Sequence, residues 1–409
     1  MKQLSIKKNM LWNSVGSLIY MVCQWLTTVL VVRLSSGYDA AGSLSLAMSI
    51  SNVYAPIALY KMRQYQVSDI HNDVTAGEYV AFRMVTIGIG LSLSLLYMGT
   101  TCSPDSFFPI LLYLLFRSVD IFIDVLHGID QQNMRMDYCG KSMAARGLLI
   151  LSAFSFVLYL SNSLEFAILA MIVSILPIML IDIRNAAQFD NIKPHITLNR
   201  VIELLCQCFP AVVGTACCLE VTTLSRQILG LEFGEGILGI YASICTPIVV
   251  IQAGSNYIYA PLLGVFARYF DMRDIGKFRL LLFKVVAGMT SVFIVGTAGF
   301  SIFGSQLFET VFGTDILQYL PAMYPAMLCA CLTALVSFFN DLLIALRIFR
   351  GCFFGNLLSL LLSIPLAYWL VARFQMNGAS MAIAVSYCAA IAVMARALSR
   401  HLQSVANMR

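Results

Sequence analysis

Residues 11–32, LWNSVGSLIYMVCQWLTTVLVV, follow Lys2, Lys7 and Lys8 and stop against Arg33. A helix needs roughly 20 apolar residues to cross a bilayer, and this run has 22. It is too long for a signal-peptide core, and no small-x-small cleavage site follows it. We read it as a first membrane helix with its lysines on the cytoplasmic side. Working outward, eleven further apolar runs follow, at 40–60, 79–98, 107–126, 144–160, 164–183, 201–224, 237–263, 280–302, 319–346, 351–371 and 378–397. Of the 26 Lys and Arg residues, 22 fall in one alternate set of loops or in the span ends that meet them. The opposite set holds Arg33, Arg226 and Arg373, and Arg117 lies inside a run. Lys and Arg are retained on the cytoplasmic side of a membrane. The skew therefore predicts twelve spans with both termini in the cytoplasm.

Composition agrees. The chain is 59% hydrophobic and 11% charged, with a mean hydropathy of +0.82, which leaves no polar surface for a soluble protein. The net charge of +5 is the sum of the cytoplasmic rims and predicts no nucleic-acid partner. Most of the 12 cysteines sit in apolar runs, where thiols act as small packing groups. Only Cys102 falls in an outward loop, and no structural disulfide is expected.

The polar connector 190–200, containing Pro194, divides the chain into residues 1–190 and 191–409, six spans each. Faint internal likeness supports duplication. Arg33 and a polar turn precede Gly42-Ser-Leu-Ser-Leu-Ala47, while Arg226 and a longer turn precede Gly239-Ile-Tyr-Ala242. Parallel repeats of this kind belong to transporters, with the substrate path between the halves. The expected fold is thus an all-α integral membrane protein of twelve transmembrane helices, in two parallel six-helix lobes around a central cavity. Every loop reads as short, the longest outward ones being 225–236 and 304–318.

Motifs for enzyme chemistry fail on context. Residues 234–239 spell GxGxxG, but the dinucleotide fingerprint needs a preceding strand, and here the segment opens a membrane helix. Gly140-Lys141-Ser142 resembles the end of a P-loop, yet Arg135 stands where its first glycine belongs. His71, His127, His195 and His401 lack zinc-site spacing. No catalytic residue, metal or cofactor is expected.

The fourth run carries the strongest polar signal. Tyr113, Arg117, Asp120, Asp124, His127 and Gln131 follow at steps of 4, 3, 4, 3 and 4, which is one face of a helix. A charge at mid-bilayer costs about 2.5–3.5 kcal/mol on insertion scales, so this face must meet protein or water. It is either a structural ion pair, Arg117 with Asp120, plus an interfacial Asp124, or the lining of a transport passage. Asn340 and Asp341 stand at the matching place in the tenth run. A second stripe, Asn13, Ser17, Tyr20, Gln24 and Thr27 or Thr28, lies on the first run. Glu203, Gln207, Pro210, Gly214 and Cys217 repeat its spacing on the seventh. Such uncharged residues either line a cavity or tie helices together, and Pro210 with Gly214 predicts a kink. Among the inward cations, Arg63, Arg83 and Arg146 stand at or inside the span ends. Arginines there either snorkel to lipid phosphate or bind a phosphate group bidentately.

These residues resemble a family. Lys8-Asn9-Met10-Leu11-Trp12-Asn13-Ser14-Val15-Gly16-Ser17, Arg63-Gln-Tyr-Gln-Val-Ser-Asp69, Arg117-x-x-Asp120-x-x-x-Asp124, Gly128-x-x-Gln131 and Gly140-Lys-Ser-x-x-x-Arg146 look like Wzx-type polysaccharide flippases. That group belongs to the multidrug/oligosaccharidyl-lipid/polysaccharide exporter superfamily. The likeness covers about residues 5–185 and thins in the second half. It implies a plasma-membrane protein that moves undecaprenyl-diphosphate-linked oligosaccharide to the outer leaflet. Polysaccharide polymerase and glycosyltransferases would be its partners. In that mapping Arg63, Arg83, Arg146 and Arg117 would hold the headgroup. Asp120, Asp124 and Asp341 would serve coupling or gating, and Asn13, Ser17, Tyr20, Gln24 and Gln207 would line the cavity. The few deep cations of the second half depart from a site built equally by both lobes. Two other readings stand beside it. One is a small-molecule exporter on the same fold, driven by protons or sodium. The other is a membrane polymerase or glycosyltransferase, which the short loops disfavour.

Overall fold

The computed structural model describes residues 4–34, 39–71, 73–101, 104–312 and 314–406, so Cys102 lies outside the described residues. Helices follow one another through them. They are α1 (Ile6–Leu34), α2 (Asp39–Leu59), α3 (Met62–Val67), α4 (Ala76–Thr101), α5 (Pro104–Gln132), α6 (Met136–Ser161) and α7 (Leu164–Ala186), then α8 (Leu198–Tyr259), α9 (Leu263–Asp271), α10 (Ile275–Phe312), α11 (Met323–Ala345) and α12 (Phe349–Ala406). Two of the long helices are broken. The chain departs from helical geometry at Gly234, with φ 84°, and at Gln375, with φ 50°. Each break turns one continuous stretch into two spans. With α3 and α9 too short to cross, the helices give the twelve spans expected. By length and apolar content, nine stretches among the described residues qualify by themselves as spans.

The span boundaries follow local chemistry. The helices α6 and α7 are parted only at residues 161–163. There Asn162 adopts a left-handed conformation, φ 49°, and ends α6. The Ser163 hydroxyl then accepts the Phe166 amide and caps α7, satisfying one of the free N–H groups that open a helix. The left-handed pair Tyr60 and Lys61 ends α2 and starts α3, a one-and-a-half-turn helix that the hydropathy pattern did not suggest. Helix α6 begins eight residues before the expected 144, because Met136, Cys139, Gly140 and Ser142 are already buried in the fold.

Two loop expectations need correction. Residues 225–233 are helical, not an outer loop. Ser225 spends its hydroxyl on the Val221 carbonyl of the preceding turn, and Ile228 and Leu229 are buried, so a segment polar in sequence still packs as helix. Most of 304–318 is also ordered as helix, first α10 and then a 3-10 segment, Thr314–Ala322.

The chain forms two compact units, Met1–Cys208 and Phe209–Arg409. In the first, α5 packs against α2, α3, α4, α6 and α7, and α1 lies along α6. The α1–α6 approach is backbone against backbone. A Cβ on Gly16 would fall on the Gly140 carbonyl, and one on Gly140 would fall on the Trp12 carbonyl. Only glycine permits that separation. The apolar core of this unit includes Tyr54, Leu114, Phe116, Ile123, Phe154 and Met171. In the second unit α11 packs along α12. An aromatic nest gathers there, with Tyr259 against Phe338 and Phe266 against Phe278, each pair with centroids 5.1 Å apart.

Candidate functional site

The ridge on α5 lies inside the first unit. Helices α1, α2, α3, α4 and α6 all bring side chains to it. Asp120 stands between two guanidiniums. Arg117, one turn back on the same helix, pairs with its Oδ2, and Arg146 of α6 reaches Oδ1 at 2.7 Å. The Tyr20 hydroxyl of α1 donates to the same oxygen at 3.0 Å, while the Arg146 guanidinium lies over the Tyr20 ring, 4.7 Å from its centroid. Arg117 also donates from Nε to the Ser51 hydroxyl of α2 at 3.3 Å.

Asp124, the next turn along, repeats the pattern with different helices. Arg63 of α3 reaches Oδ1 at 2.8 Å, and Arg83 of α4 reaches Oδ2 at 3.0 Å. Arg63 donates further to Gln131 Oε1 at 3.2 Å. Arg83 spends its other terminal nitrogen on the Ala58 and Leu59 carbonyls, at 2.9 and 2.7 Å. Those are the free acceptors that end α2. Four guanidiniums therefore meet two carboxylates, a surplus of two positive charges along two turns of one helix. Burying ions is costly unless each is paired and hydrogen-bonded, and here every carboxylate is doubly paired.

The segments that resemble the flippases converge around this ridge. Gln66 donates to the Val125 carbonyl, and Gln132 donates to the Gln66 carbonyl at 2.7 Å. Gly128 lies where they meet, and a Cβ there would displace the Gln66 amide. Asp69 closes the following loop, accepting from the Asp73 and Val74 amides and the Tyr79 hydroxyl. Asn9 ties α1 to the α5–α6 turn. Its Nδ2 donates to the Met134 carbonyl at 3.0 Å, and its Oδ1 accepts the Met136 amide at 2.9 Å. In that turn Arg135 pairs with Asp137, which strengthens its hold on its proton.

The structure separates the α1 stripe into two roles. Asn13 and Ser17 are buried, Ser17 against the Met143 thioether of α6, so here they sit in a helix contact and are closed to solvent. Tyr20 joins the ridge, and Gln24 is half-buried. Gln207 accepts from the Tyr65 hydroxyl of α3 at 3.2 Å and donates to Glu203. Asp341 belongs to the second unit, where it is buried and accepts from the Tyr259 hydroxyl at 3.1 Å. Its neighbour Asn340 accepts from Asn356 at 2.7 Å.

Sequence reasoning missed a polar layer beside the ridge. Asp182 of α7 accepts the Ser142 hydroxyl at 2.6 Å and stands 3.5 Å from His127 Nε2. Asp130 is buried beside the Cys139 thiol. His127 belonged to the stripe; Asp182 and Asp130 sit at span ends, where an acid ordinarily reads as interfacial. Among the described residues no group of His, Cys, Asp or Glu could hold a metal ion.

No protein-family model matches the chain. The Staphylococcus aureus capsular polysaccharide biosynthesis protein CapF is 25% identical over 318 residues, covering 75% of this chain and 78% of that protein. A multidrug resistance MATE family transporter of the MOP superfamily, solved in an outward-facing conformation, superposes with a TM-score of 0.77 at 14% identity. That match covers 99% of this chain and 98% of the other. The Vibrio cholerae MATE transporter VcmN, in its bent form, gives 0.77 at 14% identity over 98% of each chain. A MOP superfamily transporter from Pyrococcus furiosus, described as having a binding pocket of reverse polarity, gives 0.77 at 14% over 98% and 97%. The fold of this multi-pass membrane protein is that of the MATE transporters.

Proposed function

We propose that this chain is a flippase for a polyprenyl-diphosphate-linked oligosaccharide. In this reading it carries the lipid-linked sugar from the cytoplasmic to the outer leaflet of the plasma membrane by alternating access, for surface polysaccharide assembly. The observation that carries the reading is the surplus of two guanidiniums on the α5 ridge. A group in which guanidiniums outnumber their paired carboxylates favours an anionic headgroup over a cationic drug. Arginine forks also match phosphate oxygens bidentately. The fold supplies a transporter framework, and the likeness to CapF supports a polysaccharide pathway. In this reading Asp120 and Asp124 hold the arginines in place and take part in gating. Polysaccharide polymerase and glycosyltransferases would act beside it.

The second reading, a proton- or sodium-coupled exporter of small molecules, draws on the multidrug transporters that share the fold. Deleting the gene separates the two. A flippase deletion loses surface polysaccharide and accumulates lipid-linked oligosaccharide in the inner leaflet, with both restored by the wild-type gene. An exporter deletion keeps its polysaccharide and becomes sensitive to toxic organic compounds, which would refute the flippase reading.

A further inference from the structure

In sequence Arg226 reads as a loop cation; the structure sets it in the helical stretch of α8 that replaces the expected outer loop. It stands eight residues before the break at Gly234, about 12 Å along the helix axis. Tyr241 stands seven residues after that break, and the Arg226 guanidinium lies over its ring, 6.0 Å from the centroid. The arginine is half-buried, and its Nε is buried with no hydrogen-bond partner. The deep arginines of the first unit each meet an acid. Among the described residues Arg226 meets none, and Glu220 and Glu232, six residues to either side, are exposed. A cation inside a membrane span is costly until it is paired.

The surroundings donate and barely accept. Tyr241, Cys245, Cys329, Ser380 and Tyr387 are all buried. The Cys245 thiol lies against both the Tyr241 hydroxyl and the Arg226 guanidinium, and Cys329 of α11 belongs to the same cluster. Tyr387 spends its hydroxyl on the Cys218 carbonyl at 2.8 Å. The Tyr241 and Ser380 hydroxyls share one hydrogen bond of 2.8 Å, which uses one of their two hydrogens. For the other there is the Cys245 sulfur, a weak acceptor. A guanidinium adds five donors and no acceptor. Because Arg226 and the Tyr241 hydroxyl flank one sulfur, a single small ion can touch both.

We infer that Arg226, Tyr241 and Ser380 form a site for a small monovalent anion in the second unit, with chloride as the ion its chemistry suits. The assignment does not depend on what the protein carries. One negative charge balances the one guanidinium, whereas a dianion such as phosphate would leave the cluster negative. Thiols and aromatic rings solvate an anion poorly, which favours chloride over a more strongly hydrated carboxylate. By accepting from the guanidinium and from the hydroxyl pair, the ion ties both halves of α8 to α12, where Ser380 follows the break at Gln375.

The test is the thermal unfolding midpoint of the purified full-length protein in detergent, at constant ionic strength, as sodium chloride replaces sodium gluconate. The wild-type midpoint is expected to rise by several degrees and saturate, because an ion that binds the folded state alone stabilises it. Arg226→Gln should abolish the rise, and Arg226→Lys, which keeps the charge, should need more chloride to reach it. Arg373→Gln should keep the rise in full, since that exposed guanidinium stacks on Trp369 at 4.9 Å and lies outside the cluster. Equilibrium dialysis with radioactive chloride should find one ion per chain in the wild type and none in Arg226→Gln. A wild type that binds no chloride overturns the site, however the variants fold. Undiminished chloride binding by Arg226→Gln overturns it as well. Sodium glucuronate in place of chloride should give no rise; a larger rise than chloride's would overturn the halide and point to a sugar carboxylate.

Discussion

Arg83 and Asp124 meet at 3.0 Å from helices 41 residues apart in sequence, and the arginine is wholly buried. That contact joins α4 to α5, and through Arg83 the end of α2 to both. Around it the ridge divides into parts that hold the lobe together and parts left accessible.

Asp124→Asn removes the shared anion of Arg63 and Arg83. Arg83 cannot reach water, and breaking a buried pair by deleting one partner destabilises by roughly 3–5 kcal/mol. The thermal unfolding midpoint of the purified variant should drop by several degrees. Removing Arg83 in the same chain, as Arg83→Met with Asp124→Asn, should recover part of the loss. An unchanged midpoint in Asp124→Asn would show that the pair does not stabilise the lobe.

Asn9→Ala should destabilise by about 1–3 kcal/mol, the range for leaving buried hydrogen-bonding groups unsatisfied. It leaves the Met136 amide at the α5–α6 turn without its acceptor, while the Met134 carbonyl keeps only the Leu4 amide. Hydrogen exchange should quicken first at the amide of Met136 and along the start of α6. Exchange raised equally throughout the chain would argue against a local clamp.

Gly140→Leu should prevent α1 from seating on α6, since any side chain there lands on the Trp12 carbonyl. We expect little folded protein from this variant, measured as the monodisperse fraction after detergent extraction. Gly42→Leu, whose added Cβ meets nothing within 4 Å, should extract like wild type. Equal yields from the two variants would contradict the close helix contact.

The α5 stripe was legible because its spacing is a property of one helix, and the Arg117–Asp120 pair is local, i to i+3. The partners of Asp124 were not legible. They come from Arg63 and Arg83, 61 and 41 residues away, and sequence spacing says nothing about contacts between helices. Hydropathy located the spans yet missed α3, because six residues after a left-handed Tyr60 and Lys61 make no apolar run. It likewise took residues 225–233 for a loop, since hydroxyls bonded to their own helix look polar in sequence. Asp182 escaped notice for a related reason. A lone acid near a span end reads as interfacial until Ser142 and His127 are placed against it.

The most direct measurement is translocation itself. Proteoliposomes holding the full-length protein are loaded with a fluorescent short-chain prenyl-diphosphate disaccharide, and the fraction reaching the opposite leaflet is read by quenching from outside. The wild type should move the lipid, and the Arg63→Gln, Arg117→Gln double variant should move it at least tenfold more slowly with its unfolding midpoint intact. Undiminished translocation by the double variant, or none by the wild type above protein-free liposomes, would contradict a diphosphate carried on the α5 ridge.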